Sequence, residues 1–142
     1  MKRTICILLL LTMSLGAQQT HFAAVDIFVD SKDSPLAAYQ LEFSGRGTQV
    51  RIAGIEGGEH DAFKAPPFYD PKAMQQERVI LAAFNASTAN KLPTGKTRVA
   101  TVHLQFAGAQ LPTFSLKPHT ASDSKGNEIS VEITFTQKGR YE

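Results

Sequence analysis

The sequence predicts an all-β protein, a single β-sandwich of seven to nine strands with one short helical turn. Three observations predict it. Apolar and polar residues alternate with a period of two over most of 24–135, breaks rich in Gly, Pro, Asp and Ser recur between the alternating runs, and no long stretch carries helical spacing. The 142 residues are 42% hydrophobic and 20% charged, which suffices for one core and would cramp two domains.

In chain order, Val25, Ile27 and Val29 alternate with Asp26 and Asp30, giving a first strand over 24–30. Tyr39, Leu41 and Phe43 alternate with Gln40 and Glu42 in a second, over 36–44, and a third follows over 48–55. Val79 to Phe84 is apolar on both parities, which fits a strand covered on both faces or a short buried helix. Its brevity between Arg78 and Asn85 favours the strand, over 78–85. The clearest alternations are Ala100, Val102, Leu104 and Phe106 within 97–107, and Ile129, Val131, Ile133 and Phe135 within 128–136, with a further strand over 111–117 between them. Turn chemistry separates these runs at Ser31–Pro35, Gly45–Gly47, Gly57-Gly58, Pro66-Pro67, Pro93–Gly95, Gly108 and Asp123–Asn127. The helical turn is expected at Asp70–Glu77, with Asp70 as N-cap and Pro71 at the first helical position.

The connection from Glu56 to Glu77 exceeds the roughly 12–15 residues that already make a loop long in a compact domain. It carries Gly57-Gly58, the polar cluster Glu59-His60-Asp61 and the aromatics Phe63, Phe68 and Tyr69. Recognition commonly sits on loops held by a rigid scaffold, so Glu59, His60, Asp61, Phe68 and Tyr69 are the candidate binding residues. On this reading Phe68 and Tyr69 offer flat apolar contact, as an aromatic platform for a sugar ring would, and the other three form a polar rim. The competing reading makes Phe63 and Phe68 a lid over one end of the core.

The N-terminus reads as a secretory signal peptide: Lys2 and Arg3 precede the apolar run Ile5–Leu15, and the small residues Gly16 and Ala17 place cleavage after Ala17. That run is about half of the roughly 20 apolar residues a bilayer span needs, and no other stretch comes close. Residues 1–17 are thus the signal, 18–23 a short leader and 24–142 the domain. The mature chain is expected to be secreted or periplasmic, monomeric and without a membrane span. Removing Lys2 and Arg3 lowers the 15 basic residues to 13, equal to the 13 acidic ones, and leaves no clustered charge for nucleic acid. It also removes Cys6, the only cysteine, which excludes disulfides, a thiol nucleophile and a Cys-based zinc site.

The motifs that resemble chemistry have plainer explanations. Gly45-Arg46-Gly47 lacks the third glycine and the following helix of a nucleotide-binding loop, and reads as a hairpin turn. The four histidines, at 21, 60, 103 and 119, have no pairing at i+2 or i+4, and His103 sits on the polar parity of its strand. Asp123–Glu128 fails as a calcium loop at Lys125, and reads as a Gly-Asn turn. Glu59, His60 and Asp61 point to alternate sides of an extended chain and cannot all face one ion, so no metal is expected. Asn85-Ala86-Ser87 is a glycosylation acceptor only in a host that glycosylates secreted chains.

The strand Ala24–Asp30 leads through a small polar turn into Leu36–Phe43, and Arg78–Phe84 runs into Asn85. Leu92-Pro93-Thr94-Gly95 then gives way to Arg98–Phe106, a strand of small, apolar and polar residues ending in Phe. Over about Ala24 to Phe135 this order resembles a cohesin-type domain, as a solitary secreted version without linker, repeat or dockerin. The resemblance implies a jelly-roll sandwich like that of carbohydrate-binding modules, and a binding rather than chemical role. The expected function is a secreted, non-catalytic binding module, protein–protein or polysaccharide-associated. No cofactor and no catalytic residue are expected, and the partner would be another secreted protein or a polysaccharide. The alternative is a structural subunit of a cell-envelope or extracellular assembly.

Overall fold

The computed structural model describes residues 16–141, so the basic and apolar parts of the signal-peptide reading, residues 1–15, lie outside the described residues. The strands are β1 (Thr20–Asp30), β2 (Ala38–Arg46), β3 (Arg51–Gly57), β4 (Arg78–Phe84), β5 (Lys96–Ala107), β6 (Thr113–Ser122) and β7 (Glu132–Tyr141). They form two antiparallel sheets, one of four strands in the order β3-β5-β1-β7 and one of three in the order β4-β2-β6. The protein is therefore an all-β sandwich with short 3-10 turns.

The period of two dictates this arrangement, because alternate residues of a strand lie on opposite faces. Val25, Ile27 and Val29 of β1, Ile52 of β3 and Val102, Leu104 and Phe106 of β5 form one core with Tyr39, Leu41 and Phe43 of β2 and Val79 and Leu81 of β4. Burying each such side chain contributes about 1.5–3 kcal/mol before the entropy of ordering is set against it.

Several expectations are corrected. The leader does not stay outside the fold: β1 begins at Thr20, and Thr20–Ala23 pair with Leu104–Ala107. His21 occupies an inward position, its ring 5.5 Å from that of Phe106, so a polar letter conceals a core position. Gly45-Arg46-Gly47 is no hairpin, since β2 already has β4 and β6 as neighbours and β3 pairs instead with β5 in the other sheet; the turn crosses between sheets. The expected strand over 128–136 is divided. Glu128 bridges Ser122 and the Ile129 amide donates to Ala121, holding that stretch to β6 before β7 starts in the other sheet at Glu132.

Finally, the run Val79–Phe84 is a strand covered on one face only. Val79 and Leu81 are buried, while Ile80 and Phe84 remain 38% and 68% exposed on the other side. The helical turn at Asp70 shrinks to the single 3-10 turn Pro71–Ala73. The Asp70 carboxylate does cap it, accepting from the Lys72 amide at 2.9 Å, but Gln75 at φ 68° leaves the helical region.

Candidate functional site

The long excursion between β3 and β4 has a packed base and an exposed tip. Its two glycines are required by close approach: a Cβ on Gly57 would collide with the carbonyl oxygen of Lys64, and one on Gly58 with that of Arg98. The Gly58 amide donates to Phe63 at 2.7 Å and the Glu59 amide to Arg98 at 3.0 Å, pressing the segment onto the start of β5. Phe63 is buried and meets Tyr39 edge-on, with ring centroids 5.5 Å apart, so the lid reading describes Phe63.

Phe68 behaves differently. Its backbone forms a one-residue antiparallel bridge to Ala82 on the outer edge of β4, donating to Ala82 at 2.7 Å and accepting from it at 3.0 Å. Pro66 and Pro67 precede it and have no amide hydrogens to extend that ladder, while Pro67 itself is buried and seats the bend. The Phe68 side chain is left 69% exposed.

Beside it lies the outer face of the three-stranded sheet. The antiparallel register sets Phe84, Ala38 and Ser122 in one row and Ala82, Gln40 and Thr120 in the next. Alanine at 38 and 82 truncates the middle of this face, leaving a recess of about 230 Å³ whose walls include Phe68 and Phe84 and whose polar groups include Gln40, Thr120 and Ser122. The two phenylalanine rings are nearly parallel, 14° between planes, with centroids 6.4 Å apart. Offset-parallel rings at this separation attract one another, which steadies the pair without burying it.

One row further along, Ile80, Glu42 and Lys117 are neighbours across the strands. Glu42 accepts from the Arg78 guanidinium at 2.6 Å, and that hydrogen bond holds its carboxyl below the usual carboxylate range. The face is thus apolar and neutral at one end and ionic at the other.

Of the five residues nominated by sequence, Phe68 alone lines this recess. Glu59 is directed to β5, accepting from the Arg98 amide at 2.8 Å. The His60 ring accepts at Nδ1 from the Ala62 amide at 3.1 Å, capping the 3-10 turn Asp61–Phe63. Asp61 is exposed and lines, together with His60, a separate polar hollow shared with Asn85, Ser87 and Lys91, and Tyr69 is half-buried against the core. Phe84, Ala38, Ala82, Gln40 and Thr120 were missed. The signal for Ala82 and Phe84 is the doubled apolar parity of β4, which on a strand with one wet face means an apolar outer surface; Ala38, Gln40 and Thr120 join the recess only through the strand pairing.

The outer face of the four-stranded sheet carries instead a hydrogen-bonded network around the buried Asp26 and Thr101. Arg98 donates to the Gly57 carbonyl at 3.0 Å and to the Thr101 hydroxyl at 2.9 Å; Thr101 donates to Asp26 at 2.6 Å, and Lys138 reaches the second Asp26 oxygen at 2.7 Å. Burial pushes the Asp26 carboxyl up, but the hydrogen bonds from Lys138 and Thr101 and the charges of Lys138 and Arg98 outweigh it, and the group sits below its ordinary value.

Among the described residues there is no group of three or more His, Cys, Asp or Glu side chains placed to hold a metal ion, and no helix long and apolar enough to cross a membrane. No protein-family model, no curated protein and no solved structure matches this chain.

Proposed function

We propose that this protein is a non-catalytic, cohesin-like binding module that acts outside the cytoplasm, and that its contact surface is the outer face of β4-β2-β6 around Phe68 and Phe84. One observation carries the reading: two phenylalanines, each more than two-thirds exposed, flank a recess whose floor is truncated to alanine. A face kept only for solvent would be served by polar side chains there. The sequence adds a signal-peptide pattern ahead of the domain and a mature charge balance of 13 against 13. The partner on this reading is a secreted protein or a polysaccharide.

The test compares wild type with the double variant Phe68→Ala/Phe84→Ala, immobilised and challenged with purified extracellular proteins and polysaccharides. A ligand retained by wild type and lost by the double variant, at an unchanged melting temperature, is the expected result. Equal retention by both proteins overturns the assignment of the surface. Hydrolysis of a polysaccharide or ester panel, abolished by one point substitution, overturns the non-catalytic reading. Mass spectrometry of the exported protein should find Gln18 at the N-terminus, and an intact Met1 would remove the export reading.

A further inference from the structure

We infer that the recess between Phe68 and Phe84 receives a sugar ring of an uncharged polysaccharide, an inference that rests on the binding-face reading above and names its ligand. Three features select this chemistry. First, the recess of about 230 Å³ lies below the roughly 300–1,000 Å³ of pockets for drug-sized ligands, so it accommodates one ring-sized group. Second, its walls combine the two aromatic faces with methyl groups of Ala38 and Ala82 and the neutral hydrogen-bonding groups of Gln40, Thr120 and Ser122. A pyranose has the complementary surface, with C–H groups on its ring face and hydroxyls around its rim. A purely apolar knob from a protein partner would strip water from Gln40 and Thr120 and return no hydrogen bond, an unfavourable exchange.

Third, no charged side chain lines the recess: Glu42 and Lys117 lie one row beyond it and Arg78 further still, and Glu42 pairs with Arg78 at 2.6 Å. A uronate, sulfate or phosphate drawn into it would lose hydration without gaining a counter-charge. A standard protein interface buries about 800 Å² on each partner, and from here it would have to extend over the row Ile80–Glu42–Lys117. A single sugar unit stays within the neutral half. The rest of the polymer then runs out of the recess over the sheet surface.

Affinity electrophoresis of the full-length mature protein tests this. Native gels contain hydroxyethylcellulose, glucomannan or mixed-linkage β-glucan, with polygalacturonate as the charged counterpart, and a labelled proline-rich decapeptide is titrated in parallel. Retardation by at least one neutral polymer is expected, weakened about tenfold or more by Phe84→Ala and by Phe68→Ala and unaffected by Leu111→Ala, an exposed apolar change outside the recess. Retardation by polygalacturonate alone, or by none of the polymers, overturns the inference. If the decapeptide then binds saturably and Phe84→Ala abolishes it, the binding face stands with a different ligand. If neither binds and both alanine variants melt many degrees lower, the two rings are structural and the binding-face reading falls as well.

Discussion

On the outer face of the four-stranded sheet, one hydrogen-bonded chain touches every strand: the Gly57 carbonyl of β3, Arg98 and Thr101 of β5, Asp26 of β1 and Lys138 of β7. Asp26 at its centre is 3% exposed although it points away from the core. On the outer face of the three-stranded sheet, Phe84 at a comparable outward position is 68% exposed and its cross-strand neighbour is only Ala38. Along this chain the first face satisfies its own donors and acceptors and leaves few of them for a ligand to engage. The second leaves apolar atoms and neutral polar groups without internal partners. Outward positions of one fold thus divide into a surface closed by its own hydrogen bonds and a surface left for contact from outside, and the difference can be broken experimentally.

The largest effect is expected at the joint between the two faces. The excursion is fastened to β5 through Glu59 and carries Phe68 to the edge of β4, and Phe63 is the buried plug that seats it. Phe63→Ala should cost about 3–5 kcal/mol in urea unfolding, as truncation of a buried aromatic does. A loss below about 1 kcal/mol would show that the excursion is held in place by something other than this ring.

Next comes the closed face itself. Asp26→Ala leaves Thr101 without its acceptor and Lys138 without its partner, and should cost about 2–3 kcal/mol, toward the lower end for a network whose lysine can resolvate. The same carboxylate gives a pH signature. Its folded value is depressed, so the unfolded chain binds the proton more readily. The stability it contributes is present above the unfolded value near 4 and is lost as pH falls through the folded value. Urea midpoints measured between pH 2 and 6 should therefore rise with pH, and Asp26→Asn should make that rise shallower. It will not be flat, because Asp30, Glu42 and Asp123 are depressed as well. An unchanged slope would mean that Asp26 titrates as an ordinary surface carboxyl.

The division between the faces was only partly legible in the sequence. Strand positions followed from alternation, since Val25, Ile27 and Val29, or Val102, Leu104 and Phe106, mark the core side regardless of what covers it. Alternation cannot identify the partner strand, so the crossing at Gly45–Gly47 reads as a hairpin; nor can it recognise an inward histidine, so β1 reads as starting four residues late. Asp26 and Thr101 read as ordinary wet positions because their burial comes from Arg98 and Lys138, which arrive from 72 and 112 residues away from Asp26 in the chain. The aromatic pair was half legible. Phe68 is legible from its loop, whereas Phe84 lies in a run whose apolar parity fits covering on both faces, and only the packing of the two sheets shows that one face is bare.

The smallest effect on stability is expected at Phe84, and its smallness is the point. A buried phenylalanine loses several kcal/mol on truncation because it leaves a cavity, but Phe84 at 68% exposure leaves none. What it forfeits is its offset contact with Phe68, worth about 0.5–1.5 kcal/mol in favourable settings, and some strand propensity, on a scale that spans about 1 kcal/mol. Against that, removing an exposed apolar ring relieves the water around it. The net change for Phe84→Ala should lie below about 1 kcal/mol. Phe68→Ala should behave alike, since its fixed feature is the backbone bridge to Ala82, which alanine preserves. A double-mutant cycle in urea should give a coupling no larger than about 1 kcal/mol. If instead the two single losses approach that of Phe63→Ala, the rings are packed in solution as a second lid, the recess closes, and the contrast between the two faces disappears.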